Sequence, residues 1–185
     1  MPLSRVRACY EANVFGLLAV TQAVTPSMVA RRAGTLVNIA SIVGQVGTPF
    51  AGGYSSSKAA VINATDVLRV ELAPFRVRVL CVCPGAIRSR FGENTASALE
   101  LGALKMYAAF RAAIEARATA SQNADSTPGE AFAARVVREV LRDTSAPLLW
   151  VGSMSSRFWV LTWLPLWVRD RIMARRFGLD RAAPL

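Results

Sequence analysis

Histidine is absent from all 185 residues. That excludes every catalytic arrangement in which an imidazole is the base, and it removes the commonest protein ligand for zinc. Cysteine is scarce. Cys9, Cys81 and Cys83 are odd in number and include no C-x-x-C pair, so reduced thiols in a cytosol-facing chain are the simplest reading. Lysine is nearly missing: only Lys58 and Lys105 carry an ammonium, and every other side-chain cation is arginine. Acidic residues are also few, 12 against 22 basic ones, which leaves a formal net charge of +10. This excess does not point to nucleic acid. The arginines are scattered along helical stretches, without the basic stripe and interleaved aromatics that follow a phosphate backbone. The opening residues Met1-Pro-Leu-Ser-Arg-Val-Arg lack the apolar segment of a secretory leader, so a cytoplasmic location is expected.

What is present suits one domain with a real core. Hydrophobic residues make up 53% of the chain, and strand and helix patterns alternate, as in an α/β fold built on parallel strands. Residues 4–32 read as one long helix with Ser4 as its N-cap, a kink or last turn at Pro26, and Gly34 as its C-cap. Its middle is apolar nearly all round and needs cover on two faces. Residues 35–40 are apolar on both faces, as buried parallel strands are, residues 78–83 read as the second strand, and residues 147–151 as a third short one. Helices are expected over residues 54–75, 98–120 and 127–143, the last with Pro128 in its first turn and Phe132, Val136/Val137 and Val140/Leu141 turned inward. Residues 90–97 read as a polar loop.

The chemistry concentrates between Ser41 and Lys58. Ser41 ends the first strand, a Gly/Pro-rich loop follows, and Tyr54 and Lys58 open the next helix. A spacing of four residues puts phenol and ammonium on one helical face. A cation beside a phenol favours the phenolate and lowers its pKa, which suits proton exchange with a carbonyl or alcohol. The choice of lysine in an arginine-dominated chain strengthens this reading, because a compact titratable ammonium cannot be imitated by a guanidinium. Pro84-Gly85-Ala-Ile87-Arg-Ser89 directly follows the second strand and therefore reaches the same rim of the sheet. Cys81 and Cys83 read as packing. The tail, residues 156–185, differs in composition from residues 1–155. Phe158-Trp-Val-Leu-Thr-Trp-Leu-Pro165-Leu-Trp-Val is apolar, flanked by arginines and too short to span a bilayer, with Gly178 as a cap. It suits either a membrane surface, contacted through residues 157–177, or a flap over the substrate pocket or a subunit contact.

Asn13-Val-Phe-Gly, Asn38-Ile-Ala-Ser41, Tyr54-Ser-Ser-Ser-Lys58 and Pro84-Gly85-Ala-Ile87-Arg-Ser89 stand in the order and at the spacings of the short-chain dehydrogenase/reductase family, which the chain resembles over nearly its whole length. Within it, the chain looks like the fungal NADPH-dependent 1-acyldihydroxyacetone-phosphate reductase group. The resemblance implies a doubly wound, Rossmann-type sheet and an oxidoreductase that uses NADP(H) on a small apolar carbonyl or alcohol substrate of lipid or secondary-metabolite chemistry. It implies that Tyr54 exchanges the proton, Ser41 orients the carbonyl, Lys58 lowers the tyrosine pKa and holds the nicotinamide ribose, and Asn13 holds a water against Lys58. Pro84, Gly85, Ile87 and Ser89 would lie at the nicotinamide. The family's glycine-rich phosphate turn is not found in these residues, so the chain is expected to be the C-terminal, catalytic part of such a fold, without the N-terminal cofactor-binding strands. A non-catalytic fragment that pairs with an intact relative is the alternative. Self-association would use the helices 4–32 and 54–75, and peripheral contact with endoplasmic reticulum or lipid droplets would use the tail.

Overall fold

The computed structural model describes residues 2–89, 107–142, 144 and 146–181. Helix α1 (Leu3–Ala30) starts behind Pro2 rather than at Ser4. Pro26 lies inside it and neither ends nor restarts it. Upstream of the proline, the Thr25 hydroxyl donates to the Thr21 carbonyl at 2.6 Å and the Thr21 hydroxyl to the Leu17 carbonyl at 2.9 Å, so both hydroxyls are satisfied within the helix. Residues Glu11–Phe15 form a π turn within the rod, a local widening often found where a helix serves a site. The left-handed residue after the helix is Arg32 (φ 52°), not Gly34. Gly34 instead begins strand β1 (Gly34–Ile39), and its smallness has a packing cause: a Cβ there would lie 2.7 Å from the Met28 side chain.

The loop expected after β1 contains a one-turn helix, α2 (Ile42–Gln45). Helix α3 (Gly52–Leu72) and a 3₁₀ turn at Ala73–Phe75 lead to strand β2 (Val77–Pro84) and the short strand β3 (Ile87–Arg88). The expected polar loop 90–97, the start of the expected helix 98–120 and Lys105 lie outside the described residues. The described remainder of that helix is α4 (Arg111–Ala118). Thr127–Pro128 forms strand β4 against β3 instead of a first helical turn, and helix α5 (Gly129–Val140) starts after it. Strand β5 (Leu148–Val151) and helices α6 (Ser155–Thr162) and α7 (Leu166–Phe177) complete the chain, the last capped by Gly178 at φ 70° as expected.

Strands β1, β2 and β5 form a parallel sheet in that order, with Leu36 opposite Val79 and Cys83 opposite Trp150. The fold is α/β, as the alternating patterns predict. One face carries Leu36, Val77 and Val79 under Leu72 of α3 and Val24 and Met28 of α1. The other carries Leu80, Val82, Leu149 and Val151 under Phe132, Val136 and Val140 of α5. Those three follow the i, i+4 stripe, whereas Val137 and Leu141, expected inward, are 55% and 78% exposed. A sheet face takes one stripe of a helix, and the pairs 136/137 and 140/141 straddle its edge.

The C-terminal helices belong to the third cluster. Phe158, Met173 and Phe177 are buried with Ala40, Ile42, Val46, Val61, Cys81 and Cys83. Burying each of those three side chains contributes about 1.5–3 kcal/mol, so the tail's inner face is structural. Its outer face is different: Trp159, Trp163 and Trp167 are 48%, 74% and 70% exposed. Helix α1 is similarly two-faced. Val14 and Leu17 pack on the third cluster, but Phe15 and Val20 are open to solvent, as is Val70 of α3. By length and composition alone α1 could cross a membrane.

Candidate active site

Both strand ends meet at the carboxyl rim of the sheet, the usual ligand position in open parallel sheets. Ser41 leaves β1 in extended conformation and caps α2, its hydroxyl accepting the Val43 N–H at 3.4 Å. The cap fixes the side chain beside the first turn of α3, where the Ser41 hydroxyl acts on the Tyr54 phenol and favours its ionised form. Lys58 lies one turn further along α3. Its ammonium donates to the Ile39 carbonyl at 2.9 Å and sits 5.8 Å from the centre of the Tyr54 ring. Ser41, Tyr54 and Lys58 are therefore brought together.

The electrostatics depart from expectation. Burial holds the Tyr54 phenol above its ordinary range; the Ser41 hydrogen bond and the Arg117 guanidinium pull the other way, while Cys9 adds to the rise. Burial lowers Lys58. Lys58 does not set the tyrosine pKa here, because its ammonium is bonded to Ile39 over the ring face and desolvation of the phenol prevails.

Asn13 occupies the π turn of α1. Its amide donates to the Ser57 hydroxyl at 3.0 Å and to the Cys9 sulfur at 3.3 Å. Ser57, fully buried, donates a hydrogen bond from its hydroxyl to the Tyr54 carbonyl at 2.8 Å. The side chain of Asn13 thus anchors α1 to the residue preceding Lys58 in α3.

The segment 84–89 is pinned against the exit of β5. Gly85 N donates to the Val151 carbonyl and Ala86 N to the Ser153 carbonyl, both at 2.8 Å. A Cβ on Gly85 would stand 1.9 Å from the Ser153 oxygen, so only glycine fits. Ile87 and Arg88 continue as β3, and the Thr127 hydroxyl, which accepts Ser153 N at 2.9 Å, closes the unit. Ser89 accepts the Gln122 amide through its carbonyl at 3.2 Å. Thr127, Ser153, Ser57, Cys9 and Arg117 were not singled out by sequence reasoning. Thr127 and Ser57 sit in unremarkable polar runs, and Arg117 is one of two arginines on an Ala-rich helix.

These groups fit the nicotinamide-ribose end of a dinucleotide. An ammonium has three donors and Lys58 gives one to Ile39, so two remain for ribose hydroxyls beside the phenol. No glycine-rich phosphate turn occurs within this sequence to hold a pyrophosphate.

A parallel α/β sheet with a hydroxyl, a phenol and an ammonium gathered at its carboxyl rim is an arrangement of the Rossmann type. The sequence pattern of the short chain dehydrogenase family matches residues 1–100. The chain belongs to that family. It is 33% identical to a short-chain dehydrogenase of Penicillium ochrochloron, covering 94% of this chain and 63% of the relative. It is 26% identical to the NADPH-dependent 1-acyldihydroxyacetone phosphate reductase of Saccharomyces cerevisiae, covering 95% of this chain and 59% of that protein. The chain thus spans about three fifths of the length of these curated relatives. Among solved structures it resembles a short-chain dehydrogenase from Streptomyces avermitilis (TM-score 0.69, 25% identity, 95% of this chain and 61% of the other). It also resembles one from Burkholderia cenocepacia in complex with NADP (TM-score 0.66, 25% identity, 94% and 61%).

Proposed function

We propose that this chain carries the catalytic part of an NADP(H)-dependent reductase of an apolar ketone, with Tyr54 as proton donor. The observation that carries the reading is the gathering of Ser41, Tyr54 and Lys58 at the sheet rim, with the Lys58 ammonium 5.8 Å from the centre of the Tyr54 ring. Two neighbouring hydroxyls can both be turned to one carbonyl oxygen, where they stabilise developing negative charge. A phenol held above its ordinary pKa is protonated at neutral pH, which is the form a reduction requires; the reverse oxidation needs the phenolate. As the proton leaves, the Ser41 hydroxyl and the positive charge of Arg117 support the phenolate. When bound, a reduced nicotinamide supplies the hydride to the carbonyl carbon. Tyr54 and Lys58 would hold its ribose, and Pro84, Gly85, Ile87 and Ser89 would border its ring. Asn13 acts by holding α1 on α3 through Ser57.

NADP(H) as the nucleotide is supported by a yeast relative described as NADPH-dependent and by a structural neighbour in complex with NADP. An apolar substrate is supported by the Phe110 and Phe177 rings gathered on Phe50; the cavity of about 490 Å³ that Phe110 and Phe177 border has none of Ser41, Tyr54 or Lys58 in its lining. Phe50, from the loop between Ser41 and Tyr54, touches both rings, with centroids 5.9 Å and 6.0 Å away. Substrates from acyl-lipid or secondary-metabolite chemistry suit such walls. Titrating the purified chain with NADPH and following nucleotide fluorescence tests the reading. Saturable binding is expected, and no binding at millimolar nucleotide removes it.

Two surfaces extend the proposal. The open apolar faces of α1 and α3, with Phe15, Val20, Val67 and Val70, suit self-association or pairing with an intact relative. The tryptophans of the tail, with exposed Arg157 and Arg171 beside them, suit peripheral contact of a cytoplasmic protein with an anionic membrane, such as endoplasmic reticulum or a lipid droplet.

A further inference from the structure

Phe50 stands where a glycine belongs. Thr48-Pro-Phe-Ala51 is a reverse turn, closed by the Ala51 N–H donating to the Thr48 carbonyl at 3.3 Å. Proline in its second position holds φ at about −65°, and Phe50 in the third has φ 65°. That is the pattern of a type II turn, whose third residue is ordinarily glycine or asparagine. Arg32, Arg76 and Met154 also have positive φ, but they sit at helix ends. Phe50 lies in the loop between Ser41 and Tyr54, and a bulky side chain is unfavourable in that conformation. Glycine is at hand in the chain, since Gly47, Gly52 and Gly53 flank the turn, yet the position that needs one holds a ring. Such a conformation persists where its surroundings over-determine it, and such places cluster at functional sites.

The surroundings here are aromatic. Between centroids the Phe50 ring lies 5.7 Å from Tyr107, 5.9 Å from Phe110 and 6.0 Å from Phe177. Phe177, the last residue of α7, is itself buried, in the cluster that holds Ile42 and Val46 and against which Phe50 packs. On its other side the turn runs straight into α3. Ala51 is 1% exposed, and its carbonyl accepts the Ser55 N–H at 2.8 Å, the first bond of the helix. Tyr54 lies within the loop that this bond closes. A rotation of the Phe50 turn is therefore a rotation of the helical turn that carries the phenol.

We propose that Phe50 is a positioning residue for Tyr54: the rings of Phe110 and Phe177 clasp it in the left-handed conformation, and the end of α7 thereby fixes the first turn of α3, from which the phenol meets the carbonyl. The inference rests on the reading of Tyr54 as proton donor, and it gives the buried face of the C-terminal helix a part in that chemistry.

The test combines NADPH oxidation with acetophenone as the apolar ketone and NMR of the full chain labelled in its tyrosine rings, where the Tyr54 signal is the one lost in Tyr54→Phe. Two variants open the clasp from opposite ends. Phe177→Leu keeps a buried apolar side chain on α7 but removes a ring. Phe50→Gly removes the other ring and suits the turn, so it folds without the unfavourable φ. Both are expected to displace or broaden the Tyr54 signal and to lower kcat about tenfold or more, while KM for NADPH changes little. Phe50→Tyr, which keeps the ring, should retain the parent kcat. Val137→Ala, on the exposed face of α5, is the control and should leave both readouts alone. A clasp that is merely structural would lower the melting temperature and nothing else. An unmoved Tyr54 signal in both variants, or a moved one with the parent kcat, therefore overturns the inference. The two readings fail separately. Absent turnover by the parent, with the Tyr54 signal still moved in both variants, counts against the reductase reading alone; turnover with kcat and signal unchanged in the variants counts against Phe50 alone.

Discussion

Replacing Gly85 by alanine tests how tightly the segment 84–89 is held at the rim. The added Cβ would stand 1.9 Å from the Ser153 oxygen, 2.9 Å from its carbonyl carbon and 3.2 Å from Ser155 N. Every one of these atoms is backbone, so none can swing away, and a carbon–oxygen contact of about 3.3 Å requires the two segments to part by more than an ångström. Parting them breaks the bonds from Gly85 N to Val151 and from Ala86 N to Ser153. Each contributes about 1 kcal/mol net, and forced overpacking costs a further 1–3 kcal/mol or so. The smaller entropy of the unfolded alanine chain returns about 0.4–1 kcal/mol. The balance is a loss of about 3 kcal/mol, which lowers the melting temperature of a domain of this size by about 6–12 °C. Thermal denaturation followed by circular dichroism measures it. Gly52→Ala is the control: nothing lies within 4 Å of its Cβ position at the start of α3, so it should melt at or slightly above the parent temperature. If Gly85→Ala and Gly52→Ala melt together, the segment is not wedged against β5 and its proposed place at the nicotinamide loses its structural basis.

Three further outcomes follow from particular groups. Thr65, fully buried, accepts the buried Asn38 amide at 3.0 Å. Thr65→Val strands that donor and should cost about 2 kcal/mol, or roughly 4–8 °C, in the same melting assay; a loss no larger than that of Thr65→Ser would refute the pairing. The raised folded pKa of Tyr54 means its contribution to stability is whole below the unfolded value of about 10 and declines as pH rises through the folded value. The stability difference between the parent and Tyr54→Phe should therefore be flat through neutral pH and shrink only under alkaline conditions, and shrinkage at neutral pH would reverse the sign argued here. Joint replacement of Trp159, Trp163 and Trp167 by alanine should lower sedimentation with anionic phospholipid vesicles by about tenfold or more, and unchanged sedimentation removes the membrane contact.

Local patterns reveal the skeleton of this molecule. The doubly apolar run around Leu36 reads as a buried parallel strand, Phe132 with the pairs Val136/Val137 and Val140/Leu141 reads as a helical face although only the first of each pair turns inward, and Tyr54 and Lys58 at a four-residue spacing had to share a side. What the sequence could not display are the quantities set by distant segments. Gly34 looked like a helix cap because a glycine after a helix usually is one, yet Met28 is what keeps it small. Pro128 looked like a helix start, yet Ile87 and Arg88 draw it into a strand. The direction of the Tyr54 pKa depends on how much of the chain closes over the phenol, not on Lys58 four residues away. Nothing in the sequence distinguishes Arg117 and Arg169 from the other arginines, and the buried, unpartnered Nε of each emerges only on folding. The apolar tail, legible as unusual, divides between a buried inner face at Phe158, Met173 and Phe177 and an open outer face at its tryptophans.

The central claim is that Tyr54 gives the proton in a nicotinamide-dependent carbonyl reduction. The most direct measurement is ketone-dependent NADPH oxidation by the parent chain and by Tyr54→Phe, with nucleotide binding measured on both. The account predicts turnover by the parent, its loss on removal of the one hydroxyl, and nucleotide affinity that changes little. Turnover that survives Tyr54→Phe would contradict it.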